Sequence, residues 1–280
     1  MPLSVTGIDH FVIRVADLDA GQRLFAKLGF TLTPRGFHVG GGSANHTAPL
    51  SGGNYFELIH LTPGAEAAHF FNLPAGPVAL AVAPRDSQTI YAEFKALGYE
   101  VEPPRDLSRP VHLPGGTRDA RFLNMSFPPI PPQSVRFFAC QHLTRDLVWR
   151  PEWEAHANGA ERVGEIIIVH SSPADLAATY VKLYGEAATR VDGDGLAVAL
   201  GEDRICFATP QAFKARFPAV PIPSDLSKGW FAGATLRVRS LDQVASILSK
   251  AGIAAARTPS GSLVVAPSEA ANTLLEFKAA

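Results

Sequence analysis

The residues of this chain best equipped for chemistry are His10, Glu57, Cys140 and His142. His10 stands at the start of the β-rich run Phe11-Val12-Ile13-Arg14-Val15, where a hydrogen-bonded structural histidine is the plain alternative to a functional one. Glu57 lies within Tyr55-Phe56-Glu57-Leu58-Ile59, and its apolar neighbours force the charge to a sheet edge or to a partner. An imidazole nitrogen and a carboxylate oxygen are donors that suit Zn, Fe, Mn or Ni. Cys140 and His142 are two apart and share a strand face, as a thiol-imidazole nucleophile would require. No orienting Asn or Asp is evident beside them, and a free Cys is commonly a small buried hydrophobe. Asn45 and His46 fall on one expected strand, facing either a cavity or solvent. Gly40-Gly41-Gly42 lacks a following Lys-Ser/Thr and so is not a phosphate loop. His38, His60, His69, His112 and His170 read as surface or loop residues, and His156 as a structural residue of a connector.

Positioning these groups is the work of a unit that recurs four times: an apolar strand, an Asp or Ser/Pro breaker, a helix of about three turns and a Gly-containing stop. The stops are Leu28-Gly29-Phe30, Leu97-Gly98-Tyr99, Leu183-Tyr184-Gly185 and Ala251-Gly252-Ile253. In the first unit Asp17 is the expected N-cap of a helix over Leu18 to Leu28, followed by strands at Phe30 to Pro34, Ser43 to Pro49 and Tyr55 to Leu61. The second unit begins at Val78 to Val82, with Asp86 near its helix cap and strands around Ala120 to Met125 and Val135 to Cys140. Its prolines from Pro128 to Pro132 forbid a continuing ladder. The third unit begins at Glu165 to Val169, with its helix over Pro173 to Leu183. The fourth begins at Gly233 to Val238, with its helix over Leu241 to Ala251.

The interval between the second and third stops is the longest, so the units group two and two. Two domains, 1–143 and 163–280, are expected around a connector at 144–162. Trp149 and Trp153 argue that this connector packs onto a half. The 280 residues carry a net charge of -1 and no Lys/Arg run, which disfavours nucleic acid. No stretch of about 18 apolar residues could span a membrane. Two cysteines and no secretory signal point to a soluble protein of the reducing cytoplasm.

Gly7-Ile8-Asp9-His10-Phe11-Val12-Ile13-Arg14-Val15-Ala16-Asp17-Leu18, Leu28-Gly29-Phe30 and Gly53-Asn54-Tyr55-Phe56-Glu57-Leu58-Ile59, set in tandem β-α-β-β-β units, resemble the vicinal oxygen chelate superfamily. Glyoxalase I, fosfomycin and bleomycin resistance proteins and extradiol ring-cleavage dioxygenases belong to it. The Gly40 to Asn45 stretch followed by Tyr-Phe-Glu-Leu is most similar to the glyoxalase-like branch. The resemblance implies an α+β fold of four β-α-β-β-β units, paired into two half-open mixed β-barrels with flanking helices. It also implies a divalent metal, Zn, Fe, Mn or Ni, held by first-strand and fourth-strand residues of two facing units. His10 and Glu57 fall on those positions in the first unit. In the second unit Pro77 stands where His is expected, and Phe138 or Ala139 where Glu is expected. His142 is the nearest substitute ligand. In the third unit Glu165 and Cys206 align with His10 and Glu57, and in the fourth Ala234 and Glu276 do. Two carboxylates without a histidine make a poor transition-metal site, so that half is expected to be a degenerate structural partner, with an oxygen-rich site shared by Glu165 and Glu276 as the alternative.

Two functions follow from the resemblance. One is a metal-dependent lyase, isomerase or ring-cleavage dioxygenase, with Glu57 as ligand or base and Asn45, His46 and Trp149 as substrate contacts. The other is a metal-free small-molecule binder of the bleomycin-resistance type. Either would act on a small molecule, as a monomer or a homodimer.

Overall fold

A computed structural model describes residues 1–38, 42–61 and 74–280. In the first unit β1 (Val5–Arg14) leads to α1 (Leu18–Lys27), then β2 (Gly36–Phe37), β3 (Ser43–Pro49) and β4 (Tyr55–Leu61). Asp17 caps α1 by accepting from the Ala20 N–H at 2.7 Å, and Leu18, Gly21 and Phe25 are its buried face. Gly29 ends it at φ +91°, and a Cβ there would stand 2.9 Å from Asn158 of the connector. Only glycine meets both demands. The expected strand at Phe30 to Pro34 is reduced to one contact, the Thr33 N–H donating to the Thr47 carbonyl at 2.8 Å: Pro34 has no N–H for a ladder, and the strand itself begins at Gly36. Gly40 and Gly41 lie outside the described residues.

The second unit is β5 (Gly76–Pro84), α2 (Ser87–Ala96), β6 (Arg105–Leu113), β7 (Gly116–Ser126) and β8 (Arg136–His142). β6 was not evident in the sequence because Arg105, Asp106, Arg109 and Pro110 interrupt any apolar pattern. It is an edge strand, where Pro110 is tolerated. The connector holds α3 (Pro151–Glu154). Next come β9 (Ala160–Val169), α4 (Ala177–Tyr184), β10 (Thr189–Asp192), β11 (Gly195–Leu200) and β12 (Asp203–Ala208). An added α5 (Pro210–Arg216) precedes β13 (Trp230–Val238), α6 (Leu241–Lys250), β14 (Ala255–Arg257), β15 (Leu263–Val265) and β16 (Leu274–Ala279).

The fold is α+β, with four units paired into two eight-stranded mixed sheets that curl as half-open barrels. Their orders, β2-β3-β4-β1-β5-β8-β7-β6 and β10-β11-β12-β9-β13-β16-β15-β14, are the same pattern. β1 and β5 pair antiparallel with Phe11 opposite Leu80, and that pair lies on a local two-fold: β1 pairs parallel with β4, and β5 with β8. The outer faces of both sheets and the helices share one core, in which Phe11 meets Phe231 and Phe30 meets Phe277 across the halves. Complete burial of each phenylalanine is worth about 1.5–3 kcal/mol. The seam is also hydrogen-bonded: Asn54 exchanges two bonds of 2.9 Å with the Val163 backbone, and the Asn158 amide donates to the Leu28 carbonyl at 2.9 Å.

Candidate functional site

Period-two alternation turns one face of each strand of the first sheet inward. His10 and Val12 from β1, Asn45 from β3, Tyr55 and Glu57 from β4, Arg109 from β6 and Phe138 and Cys140 from β8 line a cavity of about 400 Å³. That is a volume typical of small-molecule sites.

A bulge in β1 breaks the alternation beside His10. Ile8 pairs with Val82 and His10 with Ala81, so Asp9 is the extra residue of a β-bulge. The bulge aims its carboxylate inward beside His10, where strict alternation would have sent it to the other face. Asp9 Oδ1 lies 2.6 Å from His10 Nδ1 and 3.1 Å from His142 Nε2. Burial by itself would raise the Asp9 pKa, but the charge of His142 and the hydrogen bonds of His10 and His142 hold it well below the ordinary carboxylate range.

With Nδ1 donating to Asp9, His10 turns its Nε2 lone pair toward Glu57 Oε2 at 3.7 Å. That is too long for a hydrogen bond and suits two bonds of about 2.1 Å to one cation between them. The His10 ring stacks on Tyr55 at 4.3 Å, and Asn45 Nδ2 donates to Glu57 Oε1 at 2.5 Å, so both donors are held in place. His38 Nε2 lies 3.9 Å from Glu57 Oε1 while its Nδ1 meets Ser43 Oγ at 2.9 Å. Burial pulls the His38 pKa down, which favours the neutral imidazole a metal requires.

The structure thus brings together His10, Glu57 and Asn45. His142 turns instead to Asp9, with Trp149 edge-on at 4.8 Å, and Asp9, Cys140 and His142 cluster within 4.8 Å of one another. Burial, then Asp9 and Glu57, push the Cys140 thiol up, which opposes a nucleophilic role. Trp149 packs against Tyr55 and donates to the Leu50 carbonyl at 3.2 Å, outside the cavity lining. His46, out of phase with Asn45, donates from Nδ1 to the Thr33 carbonyl at 2.7 Å and is also not a lining residue. Asp9, His38 and Arg109 are site residues that strand periodicity missed. The adjacency of two ionisable residues, Asp9-His10, inside an apolar run is the signal that could have found the first.

The two-fold also corrects two alignments. It relates His10 to Ala79 rather than to Pro77, since Pro77 pairs with Ile13, and it relates Glu57 to Phe138. In the second sheet Ile166 pairs with Ala234 at the centre, so the counterpart of His10 in the fourth unit is Gly233 rather than Ala234. Ala79, Phe138 and Gly233 each offer a metal no side-chain donor atom.

The corresponding place in the second half is filled by an ion-pair network. Glu165 stands at the His10 position, Gly164 at the Asp9 bulge and Cys206 at the Glu57 position, while Glu276 keeps the fourth-strand carboxylate. Arg216, from the added α5, donates to Glu165 Oε1 at 2.5 Å, to Thr235 Oγ1 at 3.0 Å and to Glu276. Ser262 and Thr235 each donate to Glu276 at 2.6 Å. Phe213 and Phe217 pack the same interior with Val220, Val264 and Leu274.

A family model described as a glyoxalase-like domain matches residues 8–184. The chain belongs to this glyoxalase-like family. With it come glyoxalase and dioxygenase neighbours of the vicinal oxygen chelate superfamily. A hypothetical protein from Staphylococcus aureus is 9% identical with a TM-score of 0.68, covering 98% of this chain and 99% of that one. The Mn(II)-bound glyoxalase from Novosphingobium aromaticivorans is 15% identical with a TM-score of 0.56, covering 99% and 82%. The 2,3-dioxygenase LapB from Pseudomonas sp. KL28 is 13% identical with a TM-score of 0.58, covering 100% and 94%. At these identities the likeness is one of fold. No curated protein matches the glyoxalase-like chain by sequence.

Proposed function

We propose that this glyoxalase-like protein is a metal-dependent enzyme acting on a small molecule in the first-half cavity, as a lyase, isomerase or ring-cleaving dioxygenase. The observation that carries the reading is the 3.7 Å spacing of His10 Nε2 and Glu57 Oε2, two donors facing one another with no proton bridge. Asp9 behind His10 is the carboxylate that a metal-ligating histidine ordinarily donates to, and it fixes the tautomer. His10, Glu57 and His38 are the proposed ligands. A divalent ion there would supply Lewis-acid polarisation of substrate oxygens. Asn45 orients Glu57, and Tyr55 holds the His10 ring plane by stacking. Mn(II) in the Novosphingobium glyoxalase makes manganese the first ion to try.

The reading assigns the site to the N-terminal half, residues 1–143, and a supporting role to 163–280 across the 144–162 connector. The unpaired cysteines, Cys140 and Cys206, fit a cytoplasmic location.

Elemental analysis of protein purified without chelator tests the proposal. About one ion per chain is expected in the parent, and less than a tenth of that in His10→Ala or Glu57→Gln. Sub-stoichiometric metal in the parent after Mn(II) loading, or unchanged occupancy in both variants, would overturn it. The second reading, a metal-free binder, is favoured by Ala79 and Phe138, which leave the positions of the second unit equivalent to His10 and Glu57 without donors. It predicts ligand uptake unchanged by EDTA.

A further inference from the structure

β6 brings Arg109 to the cavity wall near β2, where the two edges of the first barrel meet. Gly36 on β2 makes the room: a Cβ there would stand 2.8 Å from Arg109 Nη1 and 2.6 Å from Asn45 Oδ1. Arg109 is only 5% exposed, and among the described residues its guanidinium has neither a hydrogen bond nor an ion pair. Glu57, the carboxylate whose field reaches it, already has Oε1 bonded to Asn45 and Oε2 facing His10. A guanidinium cannot shed its charge, and leaving it buried without a counter-charge is costly. That cost is offset when a ligand brings the anion.

We propose that Arg109 is the anion-recognition residue of the cavity and that the ligand is a small monocarboxylate with an apolar or aromatic body lying against Tyr55, Phe122 and Phe138. Two coplanar oxygens match the guanidinium fork in a bidentate pair. The other arginine at the cavity, Arg105, is exposed and near Glu102 at 3.9 Å, so the buried wall offers a single positive charge, suited to a carboxylate more than to a dianionic phosphate. The inference deepens the function proposed above by naming its substrate class. It rests on that reading only for the cavity being the ligand site, because the Arg109 pair needs no metal.

Isothermal titration calorimetry with phenylacetate, its neutral isostere phenylacetamide and phenyl phosphate provides the test, run once with EDTA and once with Mn(II). Phenylacetate is expected to bind the parent roughly tenfold or more tighter than the amide under both conditions. Arg109→Met should erase that preference while leaving the affinity for the amide within about twofold. Gly36→Ala, which crowds the guanidinium out of its place, should reduce the preference without touching the charge. The ligand-free Arg109→Met protein should melt at or above the parent temperature, since an unpaired buried charge has been removed. Equal binding of acid and amide by the parent, tighter binding of phenyl phosphate, or a ligand-free Arg109→Met protein that melts several degrees lower would each overturn the proposal. Loss of the preference is read with EDTA present, and metal content is read by elemental analysis, so the two proposals fail separately.

Discussion

The two halves of this glyoxalase-like protein share strand order, local two-fold and paired bulges, yet they handle buried charge in opposite ways. In the first half the bulge residue is Asp9, which grips His10 and leaves Nε2 and Glu57 facing a cavity. In the second the bulge residue is Gly164, which has no side chain to offer, and Glu165 and Glu276 are bridged internally by Arg216. Each barrel thus buries an arginine, Arg216 partnered by carboxylates and Arg109 without a side-chain partner among the described residues. The frame tolerates buried carboxylates in either setting. A neighbouring insertion, α5, decides whether the counter-charge is built in or must arrive with a ligand.

The largest effect should come from breaking the closed half. Arg216→Met leaves Glu165 and Glu276 buried without their shared cation, and a loss of about 3–5 kcal/mol in urea denaturation is expected. A loss below about 1 kcal/mol would mean that the network contributes little, and would erase the contrast with Arg109. Asp9→Asn should come next, weakening metal binding about 10–100-fold by releasing His10 from its carboxylate, as measured by competition with a fluorescent chelator. The corresponding change in the other half, Gly164→Ala, should leave metal affinity unchanged; a shift there of similar size would sink the assignment of the site to the first half.

A smaller effect concerns acid. Burial would raise the Glu276 pKa, but the Arg216 charge, with the Ser262 and Thr235 hydroxyls, holds it below the ordinary value of 4.5. A carboxyl depressed in the folded state contributes stability above its unfolded pKa and loses it as pH falls through the folded value. The urea midpoint of the parent should therefore fall more steeply below about pH 4.5 than that of Glu276→Gln. Parallel profiles would show that this carboxylate is not what the network protects. The change felt least at the site should be at the seam: Asn54→Ala removes two bonds to the Val163 backbone and should cost about 1–3 kcal/mol of stability, leaving metal content untouched.

Much of the frame was legible in the sequence because its signals are local. Asp17 and Asp86 cap the two helices that their side-chain chemistry marks, and apolar spacing identifies the buried faces of α1 and α2. His10 and Glu57 could be paired because the superfamily resemblance implies ligands on the first and fourth strands of a unit. The misreadings share one cause, a dependence on partners far along the chain. β6 has no apolar alternation of its own and exists because β7 pairs with it along its length. Pro77 and Ala234 were mistaken for first-strand counterparts because bulges in both strands shift the count by one or two residues.

The sequence by itself determined the four-unit α+β architecture and the first-half pair His10 and Glu57, since helix caps, strand periods and repeat spacing act over a few residues. Tertiary structure alone decided which face Asp9 takes, that Arg109 reaches the cavity without a partner among the described residues, and that Arg216 closes the other barrel. Those outcomes depend on a bulge and on contacts between edge strands and an inserted helix, where the free energy comes from neighbours tens of residues away and leaves no local mark in the chain.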